Sequence, residues 1–309
     1  MTGAEFVPLS LPPLLIGTFA AIACALPGNF LVLRKQALIG DAISHVVLPG
    51  IVVAFLITGT VTTWPMMLGA GGAALVAVAA IEAVRRLGQI EPGAAMGVVF
   101  TAMFAGGVLL LEQSDTSKVH IDVQHALYGN LESLIWLDAT GWSSLLDPAA
   151  LSTLPVELTR ISVSLAVVSL FVWLLWRPLK LSTFDEGFAR TLGIRTSALG
   201  LALVAVSAIA AVAAFDAVGS IIVIAMFICP PAAARLMTNQ LEHQIGWSVV
   251  FATLASVLGY VLAGYGPLWL GADNAVSAAG MIATVSGVIL AIAAFCAPHR
   301  RRLGAPSGH

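Results

Sequence analysis

Charged residues are scarce in this sequence. Asp, Glu, Lys and Arg make up 10% of the 309 residues, while 59% are hydrophobic and the mean hydropathy is +0.98. Soluble domains carry about 25% charged residues. The composition therefore excludes an ordinary soluble domain and indicates an integral membrane protein.

Cysteine is also rare, and two familiar catalytic motifs are missing. Cys24, Cys229 and Cys296 lie far apart in or beside apolar runs, so they predict neither a disulfide framework nor a thiolate metal cluster. We interpret them as small buried apolar residues.

The sequence contains no Gly-x-x-x-x-Gly-Lys-[Ser/Thr] motif and no His-Glu-x-x-His motif. The chain therefore cannot bind ATP through a P-loop.

Long apolar runs dominate the sequence. A helix that crosses the bilayer core must span about 30 Å. These runs predict an all-α fold, a polytopic transmembrane helix bundle of eight or nine spans forming a single domain over residues 1–309. The count is open at Phe215-Asp216, because the two runs that this break separates are short and one could be half-inserted. The predicted spans are Leu11–Leu33, Ala37–Thr58, Pro65–Val84, Ala94–Leu111, Ile161–Trp176, Ala198–Ala214, Ala217–Ala234, Trp247–Ala263 and Ala275–Ala297.

Basic residues collect at one set of span ends. With nine spans threaded alternately, twelve of the fourteen Lys and Arg residues fall on one side, and Lys118 and Arg160 fall on the other. The positive-inside rule identifies the basic side as cytoplasmic. We therefore predict that the N-terminus lies outside and the C-terminus in the cytoplasm.

One apolar run carries two ionisable residues, Asp41 and His45. Residues four apart on a helix lie on the same face, and ionisable groups within a span usually face a protein interior or a water-filled path. A carboxylate oxygen and an imidazole nitrogen are suitable ligands for Zn²⁺, Mn²⁺ or Fe²⁺. The pair is a candidate metal site, and the alternative is a hydrogen bond between packed helices.

A short helix is predicted at residues 183–194, on the cytoplasmic side after the fifth span. Ser182 or Thr183 can cap it, and Gly193 can end it. Asp185-Glu186 would then occupy its first turn, where acidic residues are favourable.

This short helix is amphipathic. Phe184, Phe188 and Leu192 form an apolar stripe at positions i, i+4 and i+8. Such a helix either lies at the lipid interface or fits a groove on a partner protein, and the pattern alone leaves both open.

Two further stretches carry weaker signals. Pro230-Pro231 is expected to interrupt the helical ladder of the seventh span. The outer loop, about residues 112–160, is acidic and holds His120, Asp122 and His125. These residues could concentrate a cation or dock a basic partner, and the alternative is a solvated acidic loop.

Taken together, these stretches resemble the integral-membrane permease subunit of ABC importers for divalent metal ions, the zinc/manganese/iron family. The resemblance is close over Leu33–Gly50, which includes Gly-Asp-Ala-Ile-Ser-His. It recurs in the family's order at Leu127–Leu131, Phe184–Ile194 and Val218–Ala234.

The resemblance implies roles for particular residues. Asp41 and His45 would contact the transported metal. Residues 183–194 would be the coupling helix that docks on the ATPase, with its contacts made by Phe184, Asp185, Glu186, Phe188, Arg190 and Leu192.

The resemblance also implies the setting. The partners would be a second permease chain (as homodimer or heterodimer), two ATP-binding subunits, an extracytoplasmic metal-binding protein and the lipid bilayer of a bacterial cytoplasmic (inner) membrane. No nucleic-acid partner is expected. No cofactor is expected to be bound permanently, because the divalent metal (Mn, Zn or Fe) is cargo, with manganese favoured.

Two other functional classes remain open at this point. An intramembrane metalloenzyme would use Asp41 and His45 as zinc ligands, but catalytic zinc normally takes three protein ligands and no third is obvious. An ion-coupled secondary carrier should show further intramembrane carboxylates, and Asp216 is the nearest candidate.

Overall fold

The protein forms an all-α bundle. The computed structural model describes residues 3–59, 63–113, 129, 131–139, 141–269 and 276–297, and this part contains no β-strand. Two 3₁₀ helices, Leu131–Ser133 and Trp142–Leu146, lie in the loop after α5. The α-helices are α1 (Gly3–Leu9), α2 (Leu11–Leu33), α3 (Ile39–Thr58), α4 (Thr63–Gly88), α5 (Pro92–Gln113), α6 (Pro148–Leu151), α7 (Val156–Leu174), α8 (Trp176–Phe184), α9 (Glu186–Thr191), α10 (Thr196–Met237), α11 (Leu241–Trp269) and α12 (Ala278–Cys296).

Nine stretches within the described helices are long and apolar enough to cross a membrane. This number agrees with the larger of the two predicted span counts. The first predicted span agrees with α2 at both ends. The fifth begins at Val156 rather than Ile161, because an acidic residue such as Glu157 is favourable in a first helical turn. The ninth was predicted from Ala275, which lies outside the described residues. Which side each terminus occupies stays a prediction.

The predicted sixth and seventh spans are present, but the break between them does not lie at Phe215-Asp216. α10 continues through both residues, and its non-helical residue is Gly219, with φ 77° and ψ 170°. Neither Phe nor Asp has to end a helix. Glycine, which has no Cβ, reaches positive φ without strain, so the chain reverses where glycine allows it.

α10 must fold back on itself at Gly219. As a straight helix its 42 residues would be about 63 Å long, roughly twice the bilayer core. A Cβ on Gly200, near its start, would lie 3.5 Å from Nη1 of Arg34, and the carbonyl oxygen of Phe227 lies 2.5 Å from where a Cβ on Gly28 would be. Both arms therefore reach the same end of α2, and they form the sixth and seventh candidate spans.

The reversal is packed against a glycine in the loop after α5. Gly129 has φ 69°, and a Cβ built on it would lie 2.4 Å from the carbonyl carbon of Val218 and 2.5 Å from the nitrogen of Gly219. Gly129, from one segment singled out in the sequence, thus meets the start of another, Val218–Ala234.

The prolines of the second arm remove hydrogen bonds from the helical ladder, as predicted for Pro230-Pro231, but they do not break α10. The helix passes through both and ends at Met237. Pro231 has no N–H, so the carbonyl of Phe227, four residues earlier, loses its helical donor. That carbonyl lies against Gly28, where there is no side chain to displace it. The close contact between α2 and α10 accommodates the defect without a break.

α2 is deeply buried in the bundle and contacts α7, α10 and α11. A buried polar cluster joins it to α11: Asn29 Nδ2 donates to Ser248 Oγ at 2.7 Å, and Gln244 Nε2 donates to Asn29 Oδ1 at 3.1 Å. Hydrogen bonds of this kind hold helices together where apolar contact alone gives little specificity.

The contact at the reversal yields a stability prediction. Gly129→Ala should lower the free energy of unfolding by about 1–3 kcal/mol, because the new Cβ meets backbone atoms and the residue keeps a positive φ. Apparent melting temperature in detergent measures the effect. Gly71→Ala is the matched control, since a Cβ there has no neighbour within 4 Å. Equal melting temperatures for the two variants would show that the reversal does not depend on Gly129.

Candidate functional site

Asp41 and His45 lie together at the start of α3. His45 Nε2 is 3.3 Å from Asp41 Oδ1, which agrees with the predicted helical spacing. Asp41 occupies the first turn of the helix, where the partial positive charge of the helix N-terminus favours a carboxylate. The two side chains are 28% and 41% exposed, respectively. The pair is therefore open on one side.

The His45 ring is held by two aromatic side chains of α5. It stacks on Phe100, with ring centroids 5.4 Å apart and planes at 19°, and meets Phe104 edge-on at 5.8 Å and 77°. These contacts restrict the direction in which the imidazole nitrogens point. Neither residue could be identified from the sequence, because phenylalanines four apart in an apolar span are equally typical of a lipid-facing surface.

A close contact between α3 and α10 sets the position of the pair. A Cβ on Gly40 would lie 2.7 Å from the ring of Phe227. Gly40, directly before Asp41, thus allows the first turn of α3 to rest on the second arm of α10. The same Phe227 contacts Gly28 of α2 through its carbonyl.

The chain brings two candidate ligands together at this site. Within the described residues, no group of three or more His, Cys, Asp or Glu side chains is close enough to hold a metal ion. Transition metals such as zinc usually take four ligands in proteins. Two side chains alone would therefore complete only part of a coordination shell.

The segment predicted as one helix at residues 183–194 is two helices with a corner at Asp185. Ser182 and Thr183 belong to α8, so the predicted cap is wrong. Asp185, with φ −145° and ψ 94°, is the N-cap of α9, and its Oδ1 accepts a hydrogen bond from the Phe188 N–H at 2.8 Å. As predicted, Gly193 lies just beyond the end of the helix, with φ 79°.

The residues of the predicted cap have another partner. Arg34, which follows α2, donates from Nη2 to Ser182 Oγ at 2.8 Å and from Nε to Thr183 Oγ1 at 3.0 Å. The two hydroxyls are therefore bound to another element, and the stronger acceptor Asp185 caps α9.

The apolar stripe of this segment is exposed. Phe184, Phe188 and Leu192 are 53%, 52% and 56% exposed. These are large apolar side chains, which are usually buried, yet no other described element covers them fully. The stripe is available to lipid or to a partner.

Beside the stripe lies a polar cluster that joins α9 to the start of α10. Arg190 donates to Glu186 and to Thr196 Oγ1, and Thr196 Oγ1 donates to Glu186. The hydrogen bond from Arg190 is the main cause that lowers the pKa of the Glu186 carboxyl, with smaller effects from Thr196 and Arg34. Glu186 thus stays ionised at neutral pH, and the ion pair persists.

Residues 8–139 and 148–297 match the protein family described as the ABC 3 transport family. The chain belongs to this family.

Relatives and a solved structure cover most of the chain. It is 35% identical to the manganese transport system membrane protein MntD of Bacillus subtilis, over 91% of this chain and 90% of that protein. It is 34% identical to the zinc transport system membrane protein TroD of Treponema pallidum, over 94% and 74%. The structure of PsaBC from Streptococcus pneumoniae in complex with Fab aligns with a TM-score of 0.73 and 26% identity, covering 94% of this chain and 93% of that chain.

The structure does not describe two other sites that the sequence predicts in this ABC 3 family member. Residues 114–128, with His120, Asp122 and His125, lie outside the described residues, and so does the side chain of Asp216. The neighbouring Glu132 accepts a hydrogen bond from the Ala278 N–H at the start of α12. Glu132 thereby joins the acidic loop to the last helix.

The cap of α9 can be tested by removing its acceptor. Asp185→Ala should destabilise the first turn of α9 by about 1 kcal/mol, because the Phe188 N–H loses its partner. Hydrogen exchange of the amides of residues 186–192 should then accelerate. Asp185→Asn, which keeps an acceptor oxygen, is the control and should exchange nearly as the parent does. Equal acceleration in both variants would contradict the capping role.

Proposed function

We propose that this chain is the membrane-spanning permease subunit of an ATP-driven ABC importer of a divalent transition metal ion, with manganese favoured over zinc and iron. The observation that carries the proposal is the Asp41–His45 pair, 3.3 Å apart at the start of a candidate span. Oxygen and nitrogen ligands without thiolate suit all three metals, and carboxylate suits manganese in particular. Relatives named for manganese and for zinc transport support the class of cargo.

The metal path lies between two permease chains in this proposal. One chain offers Asp41 and His45 as ligands, and both side chains remain partly exposed. A second copy, or a related permease chain, could place its own pair opposite this side of α3. The two pairs together would then supply four ligands. Phe100 and Phe104 would hold each imidazole toward that shared path.

The energy comes from two separate ATP-binding subunits. The chain has no P-loop motif, whereas Phe184, Phe188 and Leu192 present an exposed apolar stripe. We place this stripe in a groove of the ATPase, with Asp185, Glu186 and Arg190 at the polar rim of the interface. An extracytoplasmic metal-binding protein delivers the ion to the opposite side of the bacterial cytoplasmic membrane, and residues 1–309 act as one permease domain without an ATPase site of their own.

A short chain of contacts joins the docking stripe to the metal pair. Arg34 binds Ser182 and Thr183 next to the stripe. Arg34 also begins the turn between α2 and α3, and Asp41 lies just after that turn. A displacement of α8 and α9 by the ATPase would therefore be passed to the start of α3.

The metal assignment predicts transport defects with an intact fold. Asp41→Asn and His45→Gln should each reduce uptake about 100-fold or more, since even indirect changes around a metal site cost about 10–100-fold. Uptake of Mn²⁺, Zn²⁺ and Fe²⁺ by the complex reconstituted in vesicles measures the loss and ranks the metals. Val53→Ala, an exposed position on the same helix, is the control. Normal uptake by either site variant would rule out the pair, and a preference for Zn²⁺ or Fe²⁺ would correct the metal alone.

The docking assignment predicts loss of the ATPase. Phe188→Ala should weaken its association by about 2 kcal/mol, or roughly 30-fold, because interface energy is concentrated in a few aromatic anchors. Co-purification of the ATP-binding subunit and metal-stimulated ATP hydrolysis are the measurements. Leu174→Ala, at an exposed position on α7, is the control. Retention and uptake at parental levels in Phe188→Ala would instead place α9 at the lipid interface.

A further inference from the structure

We propose that a cleft beside α9 binds the headgroup of an anionic phospholipid. The cleft has a volume of about 560 Å³, within the usual range of ligand pockets, about 300–1,000 Å³. It is formed by the turn after α2, the end of α4, the α8–α9 corner and the start of α10. The proposal does not depend on the metal pair, but Phe184, Glu186 and Arg190 line the cleft and also belong to the proposed ATPase interface, so lipid binding is tested on the chain without the ATPase.

The lining of the cleft is positive. Three arginines, Arg34, Arg85 and Arg190, and two glutamates, Glu82 and Glu186, face it, which leaves one positive charge in excess. Each glutamate already has an arginine on its own helix: Arg85 Nη2 is 3.0 Å from Glu82 Oε1, and Arg190 binds Glu186.

Arg34 differs from the other two arginines. In the described part of the chain no carboxylate lies within ion-pair distance of it, and its two hydrogen bonds go to the neutral hydroxyls of Ser182 and Thr183. Burial lowers the pKa of Arg34 and the negative charge of Glu186 partly opposes this effect, and guanidinium remains charged in proteins. The Glu186 carboxylate near Arg34 is already bound by Arg190, so a phosphate oxygen would further stabilise this half-buried cation.

The cleft lies at the depth of lipid headgroups. Arg34 follows the candidate span Leu11–Leu33, Arg85 ends the span Pro65–Arg85, and Thr196 begins the span Thr196–Phe215. The guanidinium groups of Arg34 and Arg85 are therefore at span ends, where the phosphates of a bilayer lie.

The deeper wall of the cleft is apolar. Val78, Ile81 and Val204 line it one to two turns inside the spans, and Leu201 at its edge is 52% exposed. A basic mouth above an apolar wall that reaches the bundle surface fits a phospholipid with its acyl chains directed into the membrane. Basic pockets between transmembrane helices are known to recognise anionic headgroups. The excess positive charge also makes the cleft a poor exit for a divalent cation.

Native mass spectrometry of the full chain in detergent tests the proposal, with phosphatidylglycerol and phosphatidylcholine as probes. The parent chain should prefer phosphatidylglycerol by about fivefold or more, the order expected for one arginine near an anionic headgroup. Arg34→Gln and Arg85→Gln should each reduce this preference. Arg177→Gln is the control, because Arg177 is exposed on α8 and does not line the cleft.

A second variant keeps the proposal testable if Arg34→Gln fails to fold. Gly200 lines the cleft, and a Cβ there would lie 3.5 Å from Arg34 Nη1, an ordinary contact distance. Gly200→Leu would fill part of the cleft while keeping all three arginines, and leucine favours helix over glycine. It should abolish the preference for phosphatidylglycerol and retain the parental melting temperature.

Three results would overturn the proposal. Equal binding of the two lipids by the parent chain would show that the cleft has no anionic selectivity. A preference that survives in both Arg85→Gln and Gly200→Leu would place the lipid elsewhere. Competition by inorganic phosphate at the same concentration as phosphatidylglycerol would mean that the cleft takes a small phosphate anion, not a lipid.

Discussion

The thickness of a bilayer core, about 30 Å, constrains this structure most strongly at α10. Its 42 residues are too many for one crossing, so the chain reverses at Gly219 and packs the reversal against Gly129. Two arms then lie against α2. The second arm places Phe227 between Gly28 and Gly40, and this contact positions the first turn of α3. The location of the Asp41–His45 pair therefore depends on a reversal formed far away in the sequence.

At the α9 end of the bundle, several features depend on the contacts of one residue, Arg34. Arg34 binds Ser182 and Thr183, and it also begins the turn that leads to α3. The exposed stripe of Phe184, Phe188 and Leu192, the basic cleft and the candidate metal pair are thus linked through one guanidinium group. Arginine suits this position because its planar group binds several acceptors in fixed directions and keeps its charge when half-buried.

Most errors of the sequence reading concern helix breaks. The chain reverses at Gly219 and not at Phe215-Asp216, and α10 continues through Pro230-Pro231 although these prolines lack N–H donors. Proline weakens a helix, but whether the helix breaks depends on what receives the orphaned carbonyl, and here Gly28 of another helix makes room for it. The cap of α9 was misplaced for a similar reason, since a distant arginine occupies the hydroxyls of Ser182 and Thr183.

The sequence by itself determined the all-α class, the nine apolar segments and the spacing of Asp41 and His45, because hydropathy and helical period are properties of neighbouring residues. It also identified the family through local motifs. Only the tertiary structure decided that Phe100 and Phe104 hold the His45 ring, that Gly129 meets Gly219, and that three arginines from separate elements share one cleft. Those contacts join residues far apart in the chain, and no local pattern specifies which helix faces will meet.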